Sequence, residues 1–213
     1  MLHRLRLGLQ APNLGTKIGG NSGGEVEADE TFVGGKFKNM HRDRKLRFAQ
    51  ANQGQTGGAV GKTIVLGMLD RESREVRAEV VPDLTRESLQ AHILKNVKYG
   101  SAVYTDELVA YDKLHWRYIH EVVNHAETYV RGRIHTNGLE NFWSLLKRGL
   151  KGTYVAVEPF HLFRYVDEQV FRFNNRQAPM DDYARFEKAL SQVARRRLTY
   201  AELTGKNDTT TQF

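Results

Sequence analysis

Two apolar runs, 62-KTIVLGMLDR-71 and 75-EVRAEVVP-82, stand either side of a short polar turn, which is the pattern of a β-hairpin. Upstream, 25-EVEADETFVGG-35 reads as a third strand stopped by a Gly pair. Its alternation sets Val26, Ala28 and Phe32 on one face and Glu25, Glu27 and Asp29 on the other. Downstream, 85-TRESLQAHILKNV-97 has Leu89, Ile93, Leu94 and Val97 at helical spacing behind a Thr start signal. A short strand ending in acids follows at 102-AVYTDE-107, and another at 117-RYIHEVV-123. Helices are expected at about 137–148 and about 160–174.

Strand, strand, strand, helix, strand, helix, strand, helix is the order of an α/β domain in which helices pack on a mixed sheet. Ribonuclease H-like cores have this order. With 213 residues and 40% apolar content, the chain can bury a sizeable core. Residues 1–10 alternate apolar and basic at helical spacing, and 11–24 is Gly-rich without a period, so 1–24 reads as the stump of a helix and a flexible linker. The basic stretch 36-KFKNMHRDRKLR-47 reads as an exposed loop.

Lys and Arg outnumber Asp and Glu by 32 to 25, a balance that suits a polyanionic partner such as nucleic acid. The absence of cysteine rules out a disulfide framework and a thiolate zinc site within these residues. No apolar run approaches the roughly 20 residues that span a bilayer, and arginines interrupt 1-MLHRLRLGLQ-10, so a cytoplasmic location is expected.

Three acids stand where an active site could collect them: Asp29 on the first strand, Asp106 at the end of a later one, and Glu140 near the start of a helix. Converging carboxylates are hard oxygen ligands for Mg²⁺, and a pair of such ions stabilises both oxygens of an in-line phosphoryl displacement. Each acid also has a structural reading. Asp29 would look the same on a solvated edge strand, Asp106 could cap a helix beginning near Glu107, and Glu140 stands three residues after Asn137, as a capping-box partner does.

On that helix Leu139, Phe142, Trp143, Leu146 and Leu150 fall in one arc, read as core, while Asn137, Glu140, Ser144 and Lys147 line another. Lys147 could therefore contact a phosphate bound beside Glu140. Arg131, Arg133, Arg148 and Lys151 are further phosphate candidates, and His135 could touch DNA or metal or simply cap its loop. The 195-RRR-197 run suits a solvated helix face. Leu162, Val166, Val170 and Phe173 read as core, with Asp167 and Glu168 supporting the fold. The stretch 56-TGGAVGKT-63 approaches a P-loop but lacks its first Gly and precedes a strand rather than a helix.

The stretches 26-VEADETFVGG-35, 104-YTDELVAY-111, 122-VVNHAETYVRGRIHTNGLENFWSLLKRGLKGTYVAVEPFHLFRYVDEQVFRFNNR-176 and 197-RLTYAELTG-205 resemble the DDE-type transposases of bacterial insertion sequences, the ISXO-type family in particular. The resemblance implies a ribonuclease H-like fold in which Asp29, Asp106 and Glu140 bind two divalent ions, Mg²⁺ or in its place Mn²⁺, with Lys147 accompanying them. Thirty-four positions separate Asp106 from Glu140, too few for a large inserted domain. Asn137 and Asn141 are second choices for the third ligand.

The chemistry implied is cleavage of a phosphodiester at an element end and attack of the freed 3′-hydroxyl on target DNA, by a homo-oligomer on DNA. Members usually begin with a zinc ribbon and a helical DNA-binding segment, and here Met1 falls inside what resembles that segment's last helix. The expected division is 1–24 as the remainder of a truncated DNA-binding region, 25–176 as the catalytic core and 177–213 as a C-terminal helical extension and tail. The alternative is a non-catalytic DNA-binding remnant or repressor.

Overall fold

The structure, a computed structural model, describes residues 2–10, 16–19, 24–35, 37, 40–51, 53, 59–106, 118–123, 136–155, 157–177, 181–193 and 196–204. The sheet is built from β1 (Glu25–Val33), β2 (Thr63–Asp70), β3 (Val76–Val81), β4 (Ala102–Asp106) and β5 (Ile119–Val123). Its order is β3-β2-β1-β4-β5. The first three strands form an antiparallel meander, and β4 and β5 add parallel to β1, which gives the ribonuclease H-like mixed sheet. The sheet therefore puts β1 at its centre.

Strand alternation then divides the molecule into two cores. Val26, Ala28, Leu66, Met68, Val81 and Val103 face one side, where α3 (Arg86–Asn96) brings Leu89 and Ile93. Thr85 caps α3, its hydroxyl accepting the Ser88 N–H. Val65, Leu69, Val76 and Ala78 face the other side and meet α4 (Asn137–Gly149) and α5 (Leu162–Asn174). Leu139, Phe142, Trp143 and Leu146 are the buried arc of α4, as the helical spacing requires. Burial of a side chain such as Phe142 contributes about 2–3 kcal/mol. A π-helical turn, Leu150–Tyr154, ends α4, and a 3₁₀ turn, Pro159–His161, leads into α5.

The basic stretch expected to be a loop contains α2 (Arg42–Ala51). Arg, Lys, Leu, Gln and Ala are good helix formers. These residues lack the apolar stripe on which a periodicity reading depends, and Phe48 packs on Phe37 with ring centroids 5.6 Å apart.

The first residues form α1 (Leu2–Gly8), which is docked rather than free. Arg6 is buried, donates to Glu168 on α5 at 2.8 Å and lies over the rings of Tyr165 and Tyr154. Gly8 meets α6 (Asp182–Val193) so closely that an added Cβ would collide with Val193. The chain's last described helix is α7 (Tyr200–Thr204). Arg196 and Arg197 precede it outside any helix, so the expected solvated helix face is corrected. Arg196 reaches back to the Leu7 carbonyl at 2.7 Å, because the open backbone there lets it serve α1.

Candidate active site

The acidic face of β1 is only partly exposed. It lies under α4 in the middle of the sheet, and the edge-strand reading of Asp29 is overturned because β2 and β4 flank β1 on both sides. Glu27 is 1% exposed, and its carboxylate accepts from Arg71 Nε at 2.8 Å. Arg71 also binds Glu25 at 3.1 Å and stacks over Tyr104 of β4. A buried carboxylate is tolerable in this form because a guanidinium compensates it.

The second oxygen of Glu27 accepts the backbone N–H of Leu139 at 3.1 Å. That N–H is one of the donors a helix start leaves without an intrahelical partner. Thr136, at the N-cap position, makes no side-chain capping bond. A carboxylate from the sheet thus caps α4 in place of a local side chain. Gly138 permits the approach, since a Cβ there would stand 2.8 Å from Glu27 Oε2 and 2.1 Å from Leu69.

One turn further on, the indole Nε1 of Trp143 donates to Asp29 Oδ2 at 2.8 Å. The slot that receives the indole is made by Gly67, which pairs with Asp29 across β1 and β2. A Cβ at Gly67 would meet two atoms of the Trp143 ring at 2.6 Å. The other Asp29 oxygen accepts the Glu30 N–H at 2.9 Å.

Asp106 is the last residue of β4. The parallel ladder pairs Glu25 with Ala102, Val26 with Val103 and Glu27 with Tyr104. The described pairs end there, two positions short of Asp29 on β1 and of Asp106 on β4. Glu140 is exposed in the first turn of α4, next to the residue whose N–H Glu27 holds. The capping-box reading of Glu140 is overturned: Thr136 is the N-cap and Asn137 is already helical, so the spacing of that motif is not met. The geometry thus joins the Asp29 strand to the helix start that carries Glu140, with Asp106 at the adjoining strand end.

Asn137, Asn141, Lys147 and Arg148 are exposed on α4, and Lys151 is exposed on the π turn. Seven residues of α-helix place Lys147 about 10 Å along the axis from Glu140. Arg131, Arg133 and His135 lie outside the described residues. Glu27, Arg71, Gly67 and Trp143 are the positioning residues that sequence reasoning missed. An isolated Gly inside an apolar strand signals close approach by another group, and Gly67 carried that signal.

Carboxylates on β1 and β4, beside a helix that displays a further acid and several cations, are residue types that metal ions and phosphodiesters take; among the described residues no group of three metal-ligating side chains gathers. The ISXO2-like transposase domain matches residues 22–174, well over half the chain, and the chain belongs to that family. It is thereby of the DDE-type insertion-sequence transposase class. Among solved structures, the crystal structure of the catalytic core domain of BIV integrase is similar, with a TM-score of 0.46 and 12% identity, covering 78% of this chain and 93% of that one. No curated protein matches the chain. Among the described residues no helix is long and apolar enough to cross a membrane.

Proposed function

We propose that the chain cleaves and joins DNA strands for an insertion sequence, with Asp29, Asp106 and Glu140 as its catalytic acids and residues 25–176 as the catalytic core. The observation that carries this reading is the double attachment of α4 to β1, through Glu27 to the Leu139 N–H and through Trp143 to Asp29. Two tethers at one helix end restrict where Glu140 can stand relative to the strand acids.

The residues fit a divalent metal. All three are carboxylates, the hard oxygen donors that such a cation takes. Glu140, in the first turn, sits where the helix dipole favours a negative charge. Two ions, Mg²⁺ or Mn²⁺, held by the three acids would supply nucleophile activation and neutralise charge on the attacking and leaving oxygens. Trp143 fixes the orientation of Asp29. Lys147, Arg148 and Lys151 bind backbone phosphates, with Arg131, Arg133, His135 and Asn137 completing the hold on DNA. The cut leaves a 3′-hydroxyl, whose oxygen attacks a target phosphodiester and displaces its 3′-oxygen. A homo-oligomer in the cytoplasm would hold two ends together for this step.

Purified protein should nick a labelled duplex carrying the element's terminal sequence in Mg²⁺. Asp29→Asn, Asp106→Asn and Glu140→Gln should each abolish nicking while leaving DNA binding in EDTA intact. Binding by the parent protein without any cleavage would instead establish the non-catalytic alternative.

A further inference from the structure

A cavity of about 300 Å³ is lined by Arg4, Arg196, Arg197, Leu198, Thr199 and Tyr200. It is built from α1 and the segment leading into α7, which carry none of the three candidate acids. Its charge is distinctive. Arg6, on the same helix as Arg4, is neutralised by Glu168 at 2.8 Å. Arg196 donates to neutral acceptors: the Leu7 carbonyl at 2.7 Å, the Gln10 carbonyl at 3.2 Å and the Gln10 side-chain oxygen at 3.3 Å. Those bonds fix its guanidinium in place and leave its charge intact. Among the described residues, none of the ion pairs involves Arg4, Arg196 or Arg197.

Two acids lie nearby: Asp167, whose carboxylate feels the charge of Arg196 and accepts from the Gln10 side chain at 2.8 Å, and Glu202. The Glu202 carboxylate accepts the Thr199 N–H at 2.7 Å and the Thr199 hydroxyl at 2.8 Å. Buried Leu198 anchors the segment, and Tyr200, 72% exposed, offers an aromatic edge at the rim.

From this we infer that Arg4, Arg196 and Arg197 form a phosphate-binding site for the DNA backbone, separate from the acid cluster. Resting on the transposase reading above, it gives the chain a second hold on DNA. Three guanidiniums around one concavity suit a phosphodiester, whose oxygens they meet with paired N–H donors. Binding of this kind is independent of base sequence and is governed by counterion release.

The test is a salt titration of duplex DNA binding, in EDTA so that no cleavage intervenes. Removing one phosphate-binding guanidinium should lower the slope of log K against log salt by about 0.9, so Arg4→Gln with Arg197→Gln should lower it by about 1.8. Between 50 and 200 mM salt the fall in affinity should become about 12-fold shallower. Arg4→Lys with Arg197→Lys should keep the parent slope. Lys17→Gln with Arg74→Gln, which removes two exposed cations elsewhere, should change it far less. Each single Gln variant, expected to lower the slope by about 0.9, serves should the double variant not fold.

An unchanged slope in the Arg4 and Arg197 variants, or one equal to that of the Lys17 and Arg74 control, overturns the site and leaves the catalytic reading standing. So does a weakening seen with RNA duplex and not with DNA. Absence of DNA binding by the parent protein would remove the functional reading itself.

Discussion

The indole N–H of Trp143 lies 2.8 Å from a carboxylate oxygen of Asp29, joining a helix and a central strand across 114 residues of sequence. The bond depends on a third residue with no side chain, Gly67, directly across the ladder from Asp29. Packing and candidate chemistry meet here. The ring fills the core, and its one polar atom orients an acid.

Trp143→Phe keeps most of the ring and deletes the donor. A hydrogen bond to a charged group contributes about 1.5–3 kcal/mol, so single-turnover nicking should slow by tenfold or more, with a higher Mg²⁺ midpoint. Gly67→Ala should reproduce that defect by pushing the ring out of its slot, and should cost about 1–3 kcal/mol of stability as overpacking. Wild-type kinetics in Trp143→Phe would refute the orienting role.

Glu27→Gln should destabilise the protein by about 3 kcal/mol in urea denaturation, because it takes from the half-buried Arg71 guanidinium a fully buried carboxylate partner. Arg71→Gln alone should be comparably harmful. The double variant should be less so than the sum of the two, since neither charge is then stranded. Strict additivity would show that the pair is not coupled.

Asp167 on α5 makes a pH prediction. Burial pushes its carboxyl up from 3.8 to about 6, against the opposing hydrogen bond from Gln10. A folded-state value above the unfolded one means that the folded protein holds the proton more tightly. Its contribution to stability is therefore greatest below about pH 4 and falls as pH rises through about 6. Asp167→Asn escapes this loss. Its melting temperature should exceed the parent's at pH 7–8, by an amount equivalent to about 1–3 kcal/mol, and the difference should vanish below about pH 4.

Val155 follows the π turn with φ of 60°, a region that β-branched residues strongly disfavour. It is 80% exposed, so truncation removes little packing. Val155→Gly should raise stability by about 1 kcal/mol in thermal unfolding, the reverse of the usual effect of a glycine.

Most of the architecture was legible because period is a local property. The alternation of Val26 and Ala28 with Glu27 and Asp29, and the arc of Leu139, Phe142, Trp143 and Leu146, each report a face. Periodicity says that two faces differ and not what covers each. For that reason the face of Glu25, Glu27 and Asp29 was equally open to a solvated edge-strand reading, although Arg71 and the start of α4 claim the two glutamates. The partner of Trp143 was illegible for a related reason: a core position was evident, but its N–H finds an acceptor only after helix and sheet meet. The helix at Arg42–Ala51 was missed because it has no apolar face to announce it.

The central strand has consequences for how such a chain can vary. Its two faces do unrelated work, apolar side chains toward α3 and carboxylates toward α4. Substitutions at single positions disturb one face at a time. An insertion or deletion of one residue between Glu25 and Phe32 would exchange the faces, driving charges into an oily interior and withdrawing Asp29 from its indole. Descendants of this sequence should therefore drift in the letters of this strand while keeping its length fixed.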